Sequence, residues 1–327
     1  MKTLLSFIVD KELILCATQL ILVSALLLSM AGRLGRLSKY AELASHFKVQ
    51  YLIGSAACLL ACLFYRELGW AFAAAIGVAI NLAEVAPWYD SRKRTAGDRY
   101  GRRRMKLILA NVNYENTARA RFIAFAQKHS PDALVVQEVT EGWRESLRAL
   151  HSLYPFIEEL PKGGGAGIAF YSRFPFERLT VAFPEGAARP SILAKLNIDG
   201  ALVSLLSIHP RTPIRNSHYK LRNGMLAAAA DCLNNLPGPK ICVGDLNITP
   251  WSPYYTSFVE RTKLVNVRKG FGLLPSWPTF LFFKCLMLPL DHCLVSEDIR
   301  IADARTGEPI GSDHLPLIVE IELEVEK

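Results

Sequence analysis

Apolar and polar positions follow one pattern before residue 91 and a different one after residue 105. In the first region whole stretches carry no charge. Leu13 to Gly32 runs for 20 residues without a charged side chain, close to the roughly 20 residues that cross a bilayer as a helix. Val49 to Tyr65 is a second uncharged run. A third, Leu68 to Ala83, is followed by "EVAPWY", whose Trp88 and Tyr89 suit a membrane interface. Only Arg66 and Glu67 separate the last two runs in charge terms, so they read as a helical hairpin. The rival reading of the first run is a cleaved signal peptide, with an apolar core of about 7–15 residues behind a clearly basic flank. Here Lys2 and Lys11 are offset by Asp10 and Glu12, which favours a true span. The pattern therefore predicts a transmembrane region over residues 1–91, with spans at about 13–32, 49–65 and 68–89.

Beyond Met105 the texture becomes short apolar strands alternating with helices and loops. Strands are predicted at Leu107–Val112, Ala133–Gln137, Gly167–Tyr171, Ile192–Asn197, Leu202–His209, Lys240–Val243, Asp291–Val295 and Leu315–Ile321. Helices are predicted at Thr117–His129, near Glu141–Leu150 and at Asn216–Leu236. Mixed order with some strands at hairpin distance predicts an α/β (α+β) sandwich, sheets packed under helices.

Charge sharpens the division. The formal net charge of +8 suggests an acidic partner, yet residues 92–106 alone hold eight basic residues and one acid. Residues 107–327 hold 23 of each sign, which weakens any argument from overall charge to nucleic-acid binding. A basic linker is thus expected over 92–104 and a catalytic-type domain over 105–327. Arg33, Arg36, Lys39 and Lys48 stand against Glu42 in the first loop, so the positive-inside rule puts that loop, the linker and the domain in the cytoplasm. The expectation is a multi-pass protein of the cell (inner) membrane, with membrane lipids as partners. Hydrophobic content of 51% and mean hydropathy of +0.19 agree. Seven cysteines without a CxxC pair give no disulfide framework.

Several strand ends carry polar groups where a plain turn would do. Asn111 and Asn113 close the first, Glu138 follows the second, and His209 ends "LSIHP". Asp245 and Asn247 follow in "GDLN", Asp291 and His292 in "PLDHCLV", and Asp313 and His314 in "GSDHLPL". Each has a plain structural reading: Asn111 and Asn113 as turn formers, Glu138 as a helix N-terminal charge, Asp245 and Asn247 as an Asx turn. Together they form a set, because strand ends of sheet folds gather at one rim. Carboxylates and amides without thiolates suit a hard ion, Mg2+ or Mn2+, over zinc. The glycine-rich "KGGGAG" at 162–167 precedes a strand and reads as a hairpin loop, not a phosphate cradle.

"LANVN", "VVQEV", "GIAFYSRFP", "SIHP", "GDLN", "LDHCLVS" and "GSDHLPL" resemble, in order and spacing, the endonuclease/exonuclease/phosphatase (DNase-I-like) superfamily, in its membrane-anchored bacterial form. Over about residues 105–323 the resemblance implies a four-layered sandwich of two packed mixed sheets flanked by helices. It implies that Glu138, assisted by Asn111 and Asp313, holds the metal. Asp245 would orient or deprotonate the attacking water, and Asn247 would hold a phosphate oxygen. His314, paired with Asp291, and His209 would contact the phosphate. Ala110 and His292 depart from the AP-endonuclease pattern, which has a tryptophan and an aromatic at those places. The expected function is a membrane-anchored, metal-dependent phosphoesterase acting on a lipid-linked or small phosphate ester. The alternative is a membrane-bound nuclease acting on DNA or RNA. A non-catalytic scaffold is disfavoured because no expected catalytic position is missing, and no protein partner is implied.

Overall fold

The computed structural model describes residues 11–90, 102–179, 189–281 and 283–324, so most of the expected basic linker lies outside the described residues. The chain divides into two compact units. One comprises Met1–Pro87 with Trp251–Pro253, and the other comprises Trp88–Pro250 with Tyr254–Lys327.

The first unit is helical: α1 (Lys11–Arg33), α2 (Lys39–Ala44), α3 (Lys48–Phe64) and α4 (Leu68–Val85). Three helical stretches, Lys11–Arg33, Lys39–Phe64 and Leu68–Tyr89, are long and apolar enough to cross a membrane. On α1 the buried stripe is Leu15, Thr18, Leu22, Ala25, Ser29 and Gly32, spaced by three and four residues as one helix face requires. Ala71, Ala74 and Gly77 make the matching small-residue stripe of α4. A Cβ on Gly77 would lie 2.7 Å from Ser55 Oγ, so a larger residue there would force Ser55 to shift where α3 and α4 meet. Leu20, Leu27, Leu60, Leu68 and Phe72 face outward, exposed and apolar, the inverse of a water-soluble bundle. Within this unit the Ser252 hydroxyl donates to Glu42 Oε1 (2.7 Å) and Trp251 Nε1 donates to the Glu84 carbonyl (3.1 Å).

The second unit holds two six-stranded sheets. Its strands are β1 (Arg102–Asn111), β2 (Ala133–Gln137), β3 (Phe156–Leu160), β4 (Ile168–Ser172), β5 (Phe176–Leu179), β6 (Ile192–Ile198), β7 (Ala201–Ser207), β8 (Lys240–Asp245), β9 (Val265–Asn266), β10 (Asp291–Val295), β11 (Arg300–Thr306) and β12 (Leu317–Glu324). Helices α5 (Arg119–His129), α6 (Glu141–Leu147), α7 (Asn216–Asn234) and α8 (Pro253–Thr262) accompany them. One sheet has the order β11-β12-β1-β2-β4-β3 and the other β5-β6-β7-β8-β10-β9. The pairs β1/β2 and β7/β8 are parallel and the rest antiparallel, so both sheets are mixed.

Alternation along β1 explains the layers. Leu107 and Leu109 enter the core between the sheets with Val135, Leu205 and Ile241, while Ile108 and Ala110 pack outward against Phe122 of α5 and Trp143 of α6. On the far side Leu206 and Cys242 meet Met225 of α7 and Phe258 of α8. Both faces of each central strand are covered, which is why these strands read as unbroken apolar runs. The four-layered sandwich expected from the sequence is the fold.

The eight expected strands all form. Pattern reading missed β3, β5, β9 and β11: all four are sheet-edge strands, and β5 ("FERL") and β11 ("RIADART") carry the charge typical of edges. It also missed α8, where Pro253 suits the first helical turn but reads as a breaker. β1 starts at Arg102, inside the expected linker, because the β12 ladder runs that far and Arg104, opposite Glu322, pairs with Glu320 at 2.6 Å.

Candidate active site

Backbone turns first aim the side chains. Asn113, Glu138 and Asn247 have φ of 55°, 67° and 50°, the left-handed region that non-glycine residues rarely occupy. Two of these turns are Asx turns: Asn111 Oδ1 accepts from Asn113 N (3.1 Å), and Asp245 Oδ1 accepts from Asn247 N (2.9 Å). The plain turn reading of these residues therefore holds alongside their place in the site. At Glu138 the tie comes from another strand: the amides of Glu138 and Val139 both donate to the Gly167 carbonyl, at 2.8 and 3.1 Å. A Cβ on Gly167 would lie 1.9 Å from Val139 O, so this crossing accepts glycine alone. The "KGGGAG" stretch is thus the β3–β4 hairpin loop, and it packs on Glu138.

Cross-sheet bonds then lock the strand ends together. Buried Gln137, on the first sheet, accepts from Asp245 N (2.8 Å) and donates through Nε2 to Ile208 O (2.9 Å), both on the second. Asn111 Nδ2 donates to Glu138 Oε1 (3.1 Å) and to Asp245 Oδ2 (3.2 Å). Without these ties, strand ends from two sheets would have no fixed separation.

Asp245 is the centre. Its Oδ2 is met by Asn111 Nδ2, Asn247 Nδ2 (3.4 Å), His209 Nε2 (3.5 Å) and His314 Nε2 (3.6 Å). Asp291 lies directly across the β8/β10 ladder from Asp245, and its Oδ2 accepts from His314 Nδ1 at 2.7 Å. His314 is thus held between two buried carboxylates. Burial works against its charged ring, but Asp291 and Asp245 overcome that and push its pKa up to about 10, making it an imidazolium at neutral pH. Burial would likewise raise the Asp245 carboxyl, yet the facing His314 and His209 hold it well below the usual carboxylate range. Asn247 Nδ2 also donates to Pro210 O (3.0 Å), fixing the amide.

Behind this row lies a second one. His292, completely buried, meets Ile248 O through Nε2 at 2.8 Å and Asn266 Nδ2 through Nδ1 at 3.1 Å. Burial, reinforced by Arg268 at 3.3 Å, lowers its pKa to about 3, so it is a neutral ring donating from Nε2 and accepting at Nδ1. Arg268 also donates to the Asp291 carbonyl. His292 therefore ties the loop carrying Asn247 to the strand carrying Asp291.

All eight expected site residues sit at one end of the sandwich, but Asp313 is turned aside. Its Oδ1 accepts from Asn113 Nδ2 (2.8 Å) and its Oδ2 from Trp277 Nε1 (3.0 Å). Among the described residues no group of three or more His, Cys, Asp or Glu is arranged so as to hold a metal ion by itself. The Glu138 carboxylate and the Asn111 side-chain oxygen are ligands of the kind a hard divalent ion takes, and such an ion needs only one or two carboxylates because it keeps several waters. Sequence reading placed Asn113 in the set only as a turn former, and gave no role to Gln137, Trp277 or Ser312, whose hydroxyl donates to Asn111 O (2.7 Å) and accepts from His314 N (3.0 Å). Gln137 and Ser312 could have been noticed as buried polar residues beside Glu138 and Asp313. Trp277 comes from an irregular segment with no periodic signal.

Residues 108–314 match the Endonuclease/Exonuclease/phosphatase family. No curated protein matches the chain in sequence. Among solved structures, D. rerio TDP2 complexed with single-strand DNA product aligns at a TM-score of 0.56 and 16% identity, covering 67% of this chain and 98% of that one. The endonuclease/exonuclease/phosphatase of Beutenbergia cavernae aligns at 0.53 and 16%, covering 68% and 72%. The beta toxin of Staphylococcus aureus aligns at 0.50 and 16%, covering 66% and 99%. At these identities the likeness is one of fold. Members of the matched family generally use divalent metal ions. The chain belongs to the Endonuclease/Exonuclease/phosphatase family, whose members are hydrolases acting on phosphate ester bonds.

Proposed function

We propose that this chain is a membrane-anchored, Mg2+- or Mn2+-dependent phosphoesterase. It hydrolyses a lipid-linked or small phosphate ester, phosphodiester or diphosphate by in-line attack of water, from the cytoplasmic face of the cell membrane. The observation that carries the reading is the convergence of two amides and two imidazoles on Asp245 Oδ2, at 3.2 to 3.6 Å. Donors aimed at one point are what a phosphoryl group needs as charge develops on its oxygens.

Asp245 orients the attacking water. Its depressed pKa makes it a weak base, so its main contribution is alignment, and it takes the proton only as the bond to phosphorus forms. Asn247 and His209 hold phosphate oxygens, and the His314 imidazolium, kept charged by Asp291, offsets the growing negative charge. Glu138 and Asn111 would hold the metal, with Asp313 reached through Asn113. The ion would polarise the phosphoryl oxygen and lower the pKa of water. The neutral charge of residues 107–327 favours a small or lipid-linked substrate over a duplex, whose binding draws mainly on Lys and Arg.

The test is a substrate panel with the purified full chain in detergent: a chromogenic phosphodiester, a phosphomonoester, phospholipid, polyprenyl diphosphate and plasmid DNA. Hydrolysis is expected with Mg2+ or Mn2+, none in chelator, and none after Glu138→Ala. Nicking of DNA without lipid turnover would replace this reading with a nuclease. Full activity in chelator would refute the metal assignment.

A further inference from the structure

Among the described residues from 102 onward, six large apolar side chains are exposed: Tyr114, Leu202, Ile214, Phe280, Phe283 and Leu286. Five of the six lie at the end of the sandwich that carries the site. Tyr114 follows β1, and its amide donates to Glu138 Oε2 at 3.1 Å. Ile214 lies on the connection that begins with His209. Phe280, Phe283 and Leu286, at 78%, 60% and 40% exposure, belong to the segment leading into Asp291. Only Leu202 lies at the opposite end, at the start of β7. Exposed apolar side chains concentrated at one end of a domain point to a contact surface there.

The segment holding Phe280 is built onto the site. Thr279 donates to Asp313 O through its amide (2.9 Å) and to Ser312 O through its hydroxyl (2.8 Å). Trp277 N and Ser276 N both donate to Leu288 O, at 3.0 and 2.9 Å, closing the base of the excursion. Phe280 thus follows directly on the residue tied to Asp313, and Lys284 is the single charge in the sequence "FLFFKCLML" at 280–288. Trp88 and Tyr89, an aromatic pair of interfacial type, pack just before this segment: Gly270 N and Gly272 N donate to Trp88 O, each at 3.0 Å. Exposed Lys162 and Arg215 stand on the other loops of the same rim.

We infer that this rim is a bilayer-contacting surface, with Phe280, Phe283 and Leu286 entering the apolar part of a leaflet. Lys162, Arg215 and Lys284 meet anionic headgroups, and the site takes its phosphate ester from a membrane lipid. This rests on the phosphoesterase reading above. Three observations select a bilayer as the occupant. The chain itself carries three helical stretches fit to cross one, so lipid is always within reach. The rim pairs apolar with basic side chains, the composition that binds anionic lipid surfaces. Residues 107–327 carry no net charge, which disfavours a nucleic-acid backbone as the occupant.

The test reads contact and turnover separately, in the full chain reconstituted into phosphatidylcholine–phosphatidylglycerol vesicles. With Cys16 and Cys285 replaced by serine, an environment-sensitive fluorophore is placed at Phe280→Cys or at Leu202→Cys. Lipids bearing an acyl-chain nitroxide should quench the label at 280 and leave the label at 202 unaffected. No quenching at 280, or equal quenching at both, overturns the inference, whatever the enzyme's activity. For turnover, vesicle-embedded dioleoyl phosphatidic acid is compared with soluble dibutyryl phosphatidic acid. Replacing Phe280, Phe283 and Leu286 by serine should slow the first at least about tenfold, since each buried apolar side chain contributes a sizeable share of lipid affinity. The soluble rate should stay within about twofold. A proportional loss of both rates, seen even in the single Phe280→Ser variant, would assign the segment to the fold and overturn the inference. A wild-type chain that hydrolyses neither lipid nor any other phosphate ester would instead refute the proposed function, leaving the quenching result to stand alone.

Discussion

Replacing Gln137 by leucine tests how the two sheets hold the site together. Leucine nearly matches the volume of glutamine, so no cavity opens. The change instead deletes two buried bonds, to Asp245 N at 2.8 Å and to Ile208 O at 2.9 Å, and leaves both backbone groups without their partner. Each unsatisfied buried group costs about 1–3 kcal/mol, which gives a loss of about 3 kcal/mol allowing for some relaxation. For a domain of this size each kcal/mol lowers the melting temperature by about 2–4 °C, so a fall of about 6–12 °C is expected. The activity effect should be larger than stability alone predicts. The lost bond holds the strand end that bears Asp245, and a displacement of about 1 Å at a reacting centre can cost about a hundredfold. Thermal unfolding followed by tryptophan fluorescence, with kcat measured well below the transition, separates the two effects. Melting within about 2 °C of the wild type, with unchanged kcat, would refute the claim that Gln137 couples the sheets at the site.

Three further outcomes follow from the same geometry. His292 is held neutral, its pKa lowered to about 3, whereas in the unfolded chain it titrates near 6.5. Its contribution to stability is therefore complete above about pH 6.5 and is lost as the pH falls toward 3. His292→Gln should flatten the fall in melting temperature across that window, and an unchanged slope would contradict the assignment. His314→Gln should lower kcat by about 10²–10³. Because Asp291 acts through His314, adding Asp291→Asn to that variant should cost little more, whereas fully additive losses would separate the two roles. Gly167→Ala should lower both melting temperature and activity, since its Cβ would meet Val139 O at 1.9 Å. A variant that melts and turns over like the wild type would show that the β3–β4 loop does not position Glu138.

Much of this architecture was legible in the sequence. The buried strands announced themselves because both faces of β2, β4 and β8 are covered, leaving runs such as "ALVVQ" with no polar interruption. Strands with one open side were not: "RIADART" and "FERL" carry charges that solvent accepts, and nothing in their period separates them from loops. The site residues could be named because acids, amides and imidazoles recur where apolar runs end. Their partnerships could not. That Asp291 lies opposite Asp245, or that Gln137 spans two sheets, depends on register between strands far apart in the chain. The aside turn of Asp313 depends on Trp277, from a segment whose composition is apolar and whose path is irregular. The "KICVGDLN" stretch combines both cases: its Asx turn is local and legible, while the two histidines that meet Asp245 arrive from the connection after β7 and from the loop before β12.

The most direct test of the central claim is kcat of the Asp245→Asn full chain on a soluble phosphodiester with saturating Mg2+, beside its melting temperature. Asparagine keeps the oxygen that accepts from Asn247 N and removes the charge on which His209 and His314 converge. A loss of at least about 10²–10⁴-fold in kcat, with the fold intact, is the predicted result. Retention of turnover within about threefold would contradict the claim that this strand end is the catalytic centre.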